Sequence, residues 1–324
     1  MHIVRDVAAF SPEWAGASLA IGNFDGLHAG HRAVIDAART VADARNVPLA
    51  VMTFEPHPRT VFKPDNPVFR LTPEPMKIAV LDMLGVDVAV IFPFSRAFSS
   101  QSADAFVDDI LVRGLKVGHV ATGYDFHFGH KRQGTPEFLV KSGRDAGFGV
   151  SIVEAYTGAS GEPIASSIIR EALADGDLDL VHRQLGYRYT ISATVIHGDK
   201  RGRDLGYPTA NMILQSESTL KYGVYAVRVR TADGVHAGVA NFGRRPQYDN
   251  GSILLEAHLF DYAGDLYGAD IEVEFVAYLR AEMSFDGVNA LIAQMDRDSA
   301  RSRDILDGIK GTPFGPDALR SVAL

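Results

Sequence analysis

At 324 residues the chain exceeds the roughly 100–200 of a usual domain, which gives two domains enough length to bury a core each. A hydrophobic content of 46% with 22% charged residues is globular and excludes a disordered chain. The net charge of −8 excludes nucleic-acid binding through a general basic surface, and the absence of cysteine excludes disulfides, thiolate metal sites and cysteine nucleophiles.

Residues 1–24 lack a charged leader followed by an unbroken apolar core, and no later run approaches the ~18 apolar residues of a membrane span. The expectation is a cytoplasmic protein with neither a membrane nor a nucleic-acid partner; homo-oligomerisation stays open. Short apolar runs at 17–22, 48–54, 87–92, 117–122 and 149–154 predict strands. Between them, stretches such as 30–45, 76–84, 103–113 and 168–174 have helical period. That βαβ rhythm predicts a doubly wound α/β domain with a mostly parallel sheet over residues 1–184. After residue 185 the strand-like runs 187–197, 223–230, 235–241, 253–260 and 271–277 follow without long helices, which predicts a closed antiparallel six-stranded barrel. Residues 286–307 have helical period with Val288, Leu291, Ile292 and Met295 on one face, so a helix closes a second domain of 185–308. The tail 309–324 reads as an irregular cover or a frayed end.

The strongest local signal is Gly22-Asn23-Phe24-Asp25-Gly26-Leu27-His28-Ala29-Gly30-His31, between a buried strand and a helix. Ligands of open α/β sheets bind there, and the helix N-terminus offers unpaired N–H groups to phosphates. Gly26 and Gly30 permit close approach of a phosphate, and His28 and His31 can face the same one. A metal pair or simple helix caps are the bland alternatives, and two histidines without a nearby third ligand make a poor zinc site.

In this G-x-F-D-G-x-H-x-G-H context the sequence resembles nucleotidyltransferases of the HxGH superfamily, specifically the adenylyltransferase half of bacterial bifunctional riboflavin kinase/FAD synthetases. Thr53-Phe54-Glu55-Pro56-His57-Pro58 with Val61-Phe62, and Gly123-Tyr124-Asp125-Phe126-His127-Phe128-Gly129, resemble two further segments of that family. The resemblance assigns Phe54, Pro56, Pro58, Phe62 and Phe128 to a flavin and Asp125 to the nucleotide; the alternative for the phenylalanines is core packing. Ile164-Ala165-Ser166-Ser167-Ile168-Ile169-Arg170 is similar to the family's S-S-T-x-I-R motif, with Ala165 and Ser167 departing from it. The resemblance thereby adds Ser166 and Ser167 to the nucleotide set, with Gly22, Asn23, Phe24, Asp25, Gly26 and Gly30, and Arg170 to the catalytic His28 and His31. A serine pair ahead of a helix is otherwise an N-cap. Met76 stands where the family more often has an acidic residue, in the segment that begins Arg70-Leu71-Thr72.

A second basic, glycine-rich stretch runs from Gly198 to Gly206 with Lys200, Arg201, Gly202 and Arg203, and leads into Pro208-Thr209-Ala210-Asn211. By composition it is either a flap over polyphosphate or a solvated hairpin, and it is no Walker A loop. The P-T-A-N signature resembles riboflavin kinases, which implies nucleotide contacts at Gly198, Lys200, Arg201, Gly202, Arg203, Gly206 and Pro208, and oxygen ligands for Mg²⁺ with ATP from Thr209 and Asn211. Similarity continues through Asn241-Phe242-Gly243-Arg244-Arg245-Pro246, where Gln247 replaces the usual threonine, and through Leu255-Glu256-Ala257-His258. The resemblance implies that Glu256 is the general base for the ribityl hydroxyl, and assigns Arg245, Arg280 and Glu282 to the flavin. The implied activity is phosphorylation of riboflavin to FMN followed by adenylylation of FMN to FAD, with riboflavin, FMN and ATP as the small-molecule partners.

Overall fold

A computed structural model describes residues 1–158, 161–197, 207–215, 217–244 and 253–321. The chain divides into two compact units, Met1–Ser166 and Ser167 onward.

The first unit is built on one six-stranded sheet of β1 (His2–Val4), β2 (Ser18–Ile21), β3 (Leu49–Glu55), β4 (Val88–Pro93), β5 (His119–Gly123) and β6 (Gly149–Val153). The strand order is β1-β4-β3-β2-β5-β6, and every neighbouring pair is parallel. The connections carry α1 (Ala29–Arg45), α2 (Pro58–Phe62), α3 (Glu74–Met83), α4 (Arg96–Ser99), α5 (Ala103–Ala105), which continues as a π-helical stretch Phe106–Gly114, and α6 (Pro136–Ala146). Leu19, Ala20, Ile21, Ala50, Val51, Met52, Val88, Ala89 and Val90 are buried, as a parallel sheet covered on both faces demands. The predicted doubly wound architecture is present. Two elements were less visible. β1 is three residues long with two of them exposed, and α6 is marked by its caps, Thr135 and the left-handed Gly147, more than by an apolar stripe.

The chain adds β3 and β4 on one side of β2 and then crosses to β5 on the other. The carboxyl ends of β2 and β5 therefore flank the point where strand order reverses, which is where such sheets open a crevice for ligands.

At the opposite end of these strands His119 is buried between two hydroxyls, with Nδ1 2.8 Å from Ser18 Oγ and Nε2 2.9 Å from Ser151 Oγ. Ser18 Oγ donates to Ala38 O at 2.7 Å. Burial, aided by the nearby Arg45 guanidinium, pushes the His119 imidazole down from 6.5 to about 4. Between those values the unfolded chain binds a proton that the folded chain refuses, so stability is present above pH ~6.5 and lost as pH falls toward 4. The full shift corresponds to about 3 kcal/mol. Denaturant unfolding followed by the fluorescence of Trp14, the single tryptophan, should show this loss. It should be shallower by about one proton in His119→Asn; equal pH slopes would contradict the assignment.

The second unit begins within α7 (Ser166–Asp175), whose first residue belongs to the first unit, and continues with α8 (Leu178–Leu185), β7 (Thr190–Thr194), β8 (Ala210–Ile213), β9 (Gly223–Thr231), β10 (Gly234–Arg244), β11 (Ile253–Leu259) and β12 (Asp270–Arg280). The order is β7-β12-β9-β10-β11-β8, antiparallel throughout. A bridge between Ile196 and Asn211, with Ile196 N donating to Asn211 O at 2.8 Å, nearly closes the sheet into a barrel. Tyr225, Val227, Val229, Leu255, Ala257, Val273 and Phe275 alternate along their strands and are fully buried.

A terminal helix, α9 (Val288–Asp307), packs beside β9 and β10, where Leu306 joins Val224, Ala226, Phe260 and Leu279 in one apolar cluster. The packing stripe is the predicted one carried further along the helix: Leu291, Ile292 and Met295 are half-buried, Asp298, Ser302 and Leu306 on the same face are buried, and Val288 at the start is 55% exposed. Polar groups can line it because they find partners. Ser302 Oγ donates to Gly238 O at 2.8 Å, and Asp298 accepts from Arg280. Over its described residues, 308–321, the segment after α9 is a cover and not a frayed end, since Phe314 and Leu319 are buried. Arg228 pairs with Glu274 across β9 and β12 at 2.7 Å and also donates to Thr312 O at 2.9 Å and Pro313 O at 2.7 Å. Arg230 lies over the Phe314 ring at 4.2 Å.

Candidate functional site

The Gly22–His31 segment leaves β2 at the reversal point and turns sharply into α1. Phe24, Gly26 and Leu27 have positive φ of 47°, 95° and 43°. For Phe24 and Leu27 that conformation is strained, and it is held because both side chains are buried. Asp25, also buried, accepts from Leu71 N at 3.2 Å and Thr72 N at 3.0 Å, while Gly26 N donates to Thr72 Oγ1 at 2.8 Å. Asp25 is thus a structural anchor of the turn. His28 is the N-cap of α1, its Nδ1 accepting from His31 N at 3.2 Å, and the two imidazoles stack at 3.6 Å between centroids. Phe24 meets His31 edge-on at 5.4 Å. A Cβ at Gly30 would lie 3.3 Å from the His28 ring, so the glycine leaves that ring its space. Two nitrogen-bearing rings at a helix N-terminus form a compact place for a polyphosphate.

Ser166 joins this turn, its Oγ donating to Asp25 O at 2.8 Å. Ser167 is exposed, and Arg170 follows Ser166 by four residues on α7, which puts the two on one helix face. Asp125 is exposed just beyond β5. Of the aromatic candidates, Phe54 packs among Phe92, Phe94 and Phe98, and Phe128 among Phe106, Phe126 and Phe138. Both belong to the core, whereas Phe62 on α2 is 52% exposed. Pro56 follows the end of β3, and Pro58 opens α2.

Beneath the turn lies an ion network that the motif reading missed. Arg70 donates to Glu55 Oε2 at 2.6 Å and stands 3.7 Å from Asp25, and Lys77 Nζ is 3.0 Å from Glu55 Oε1. Burial works against the Glu55 carboxylate, but the Arg70 hydrogen bonds and the Lys77 charge prevail and hold its pKa below the ordinary value. The available signal was a lysine at a position where the period of α3, Met76, Val80 and Leu81, calls for an apolar side chain.

In the barrel, register gathers a polar row. Glu256 on β11 stands opposite Asn211 on β8 and Asn241 on β10, so the three side chains share one face of the sheet. Glu256 and His258 are half-buried between buried Leu255, Ala257 and Leu259, the alternation expected from sequence. Asn211 is 5% exposed; its Nδ2 donates to Thr209 O at 3.2 Å, and its buried Oδ1 has no hydrogen-bond partner among the described residues. A buried amide oxygen with no partner among the described residues, on a side chain whose nitrogen is 3.5 Å from the Thr209 hydroxyl, suits a hard cation, which takes oxygen ligands. Asn241 was not among the sequence candidates; its register opposite Glu256 adds it to this polar row.

Pro208 is exposed, and its carbonyl accepts from His258 Nδ1 at 2.9 Å, while the neighbouring Tyr207 hydroxyl donates to Asp296 of α9. Arg280 is engaged by Asp298 through Nε at 2.9 Å and Nη2 at 2.7 Å, fixing the end of β12 on α9. Glu282 lies against Gly243, where a Cβ would collide with its carboxylate. Gly198, Lys200, Arg201, Gly202, Arg203, Gly206 and Arg245 fall outside the described residues.

Family models agree with this division of chemistry. The FAD synthetase family matches residues 10–168, and the riboflavin kinase family matches residues 185–306. The bifunctional riboflavin kinase/FMN adenylyltransferase of Haemophilus influenzae is 40% identical over 299 residues, covering 92% of this chain and 97% of that protein. The protein of the same description from Escherichia coli strain K12 is 40% identical over 307 residues, covering 94% and 97%. Among solved structures, a Streptococcus pneumoniae chain described as a macrolide-efflux protein superposes with a TM-score of 0.82 at 28% identity, over 93% of this chain and 98% of that one. Among the described residues no helix is long and apolar enough to cross a membrane. The chain belongs to the bifunctional riboflavin kinase/FMN adenylyltransferase family.

Proposed function

We propose that the Gly22–His31 turn receives the ATP whose adenylyl group passes to FMN, and that the Asn211–Glu256–Asn241 row carries the phosphorylation of riboflavin. The functional division is drawn at residues 184 and 185, with 185–308 as the kinase part and 309–324 as its tail. The observation that carries the reading is the coincidence of the His28–His31 pair with the reversal point of the parallel sheet.

In the first site the FMN phosphate attacks the α-phosphorus of ATP, and pyrophosphate leaves. No protein nucleophile is required, so catalysis is positioning and charge stabilisation. His28, His31 and Arg170 stabilise the developing negative charge. Ser166, Ser167, Asp125 and the backbone from Gly22 to Gly26 hold the nucleotide, and Phe54, Pro56, Pro58, Phe62 and Phe128 form or support the flavin pocket. In the second site Glu256 accepts the proton of the ribityl hydroxyl as that oxygen attacks the γ-phosphorus of ATP, and ADP leaves with the bridging oxygen. Thr209 and Asn211 would hold Mg²⁺, whose chemistry there is neutralisation of polyphosphate charge. Lys200, Arg201 and Arg203, among the glycines 198, 202 and 206 and ahead of Pro208, cover the nucleotide, while Arg245, Arg280 and Glu282 border the flavin. The setting is the cytoplasm.

The test is chromatography of riboflavin, FMN and FAD over time after the chain is mixed with riboflavin and MgATP. FMN should rise and then convert to FAD. Arrest at FMN would remove the adenylyl-transfer half of the proposal, and unchanged riboflavin would remove the whole.

A further inference from the structure

Lys77 has no part in the chemistry described above, although its side chain is fully buried directly under the nucleotide turn. Its ammonium donates to Asn23 O at 2.9 Å, Thr53 Oγ1 at 3.2 Å and Glu55 Oε1 at 3.0 Å. Thr53 Oγ1 in turn donates to Asn23 O at 3.0 Å. These oxygens belong to two separate segments, the turn after β2 and the end of β3 that leads into Pro56. One cation therefore ties them together.

A buried ammonium is a costly way to fill a helix face, and an apolar side chain beside Met76 and Val80 would serve stability as well or better. Burial, with the Arg70 charge, pulls the lysine's pKa below its ordinary value, and Glu55 opposes that pull. What the charge provides that a methionine would not is a fixed position for the Asn23 carbonyl, and with it for the strained Phe24–Leu27 turn that ends at His28.

We infer that Lys77 is a positioning residue for adenylyl transfer, locking the nucleotide turn to the segment of β3 that leads to the flavin pocket. The inference rests on the assignment of that turn to ATP. Small displacements of groups that align reacting phosphates are expensive in rate, because the geometry for attack is narrow. Lys77→Met should lower kcat for conversion of FMN to FAD on the order of 10²-fold, while riboflavin phosphorylation by the same chain is unchanged. Thr53→Val, which removes one acceptor of the lysine and one donor to Asn23 without altering charge, should lower it by roughly tenfold.

The experiment measures kcat and KM for ATP and for FMN in full-length variants, well below the unfolding midpoint, with native Trp14 fluorescence as the check that the first unit is folded. A large loss in kcat in folded Lys77→Met, with a smaller loss in Thr53→Val, is the expected result. Wild-type kcat in folded Lys77→Met overturns the inference, and so does wild-type kcat in Thr53→Val should Lys77→Met not fold. His28→Ala assayed in parallel separates the two levels. Full adenylylation in that variant defeats the site assignment, whereas its loss together with unaffected Lys77 and Thr53 variants defeats the positioning role alone.

Discussion

Replacing Glu256 by glutamine is expected to abolish or severely slow the phosphorylation of riboflavin while leaving conversion of supplied FMN to FAD nearly intact. The amide keeps the size of the side chain and its place opposite Asn211 and Asn241, so the barrel has little reason to change. What is lost is a group able to take a proton from the attacking hydroxyl, a contribution of typically 10²–10⁴ in rate. Steady-state assays of the two half-reactions with separate flavin substrates measure the ratio directly. Equal loss of both activities would show that the sites are not independent, and a riboflavin kinase rate within a few-fold of wild type would remove Glu256 from the role of base.

His28→Ala should have the complementary effect. A donor preorganised toward developing charge is worth about 10²–10³ in rate, so FAD formation from FMN should fall by that factor. Alanine also removes the N-cap acceptor for His31 N, which costs typically ~1 kcal/mol of helix stability. The activity loss must therefore be measured where the protein is fully folded. Because the rings of His28 and His31 stack on each other, the double substitution should fall short of the product of the single losses. FMN affinity, followed by quenching of flavin fluorescence, should barely move. A loss explained wholly by weaker FMN binding would contradict the role assigned to the pair.

The parallel sheet was legible because its inner strands are covered on both faces and so read as apolar runs such as ASLAIG and PLAVMTF, whereas the edge strand β6 is only half-buried throughout. The barrel was legible from strands without intervening helices, although β8 was visible only as the extended P-T-A-N segment. The packing stripe of α9 was legible, but the polar character of its most buried positions was not. Its inner face is carried by Asp298 and Ser302, whose suitability depends on Arg280 and the Gly238 carbonyl, and those partners are distant in sequence. The first site was legible where chemistry is written in adjacent residues, as in His28-Ala29-Gly30-His31. The network of Asp25, Glu55, Arg70 and Lys77 was hidden because it assembles from three segments and shows in the sequence only as charges within apolar surroundings. Phe54 and Phe128 illustrate the converse. An aromatic ring in a motif looks the same whether it stacks on a ligand or packs in the core, and the structure shows core packing for both, which leaves them at most as support for the proposed flavin pocket. Asn241 required the strand register, which no local pattern specifies.

The central claim, that one chain performs two distinct phosphorus transfers, is tested most directly by supplying riboflavin and ATP labelled at either the γ- or the α-phosphorus. The account predicts γ-label in the phosphate of FMN, retained in FAD, and α-label only in the adenylyl half of FAD, with one equivalent of each per FAD formed. FMN that carries γ-label and accumulates without any α-label entering flavin would contradict it.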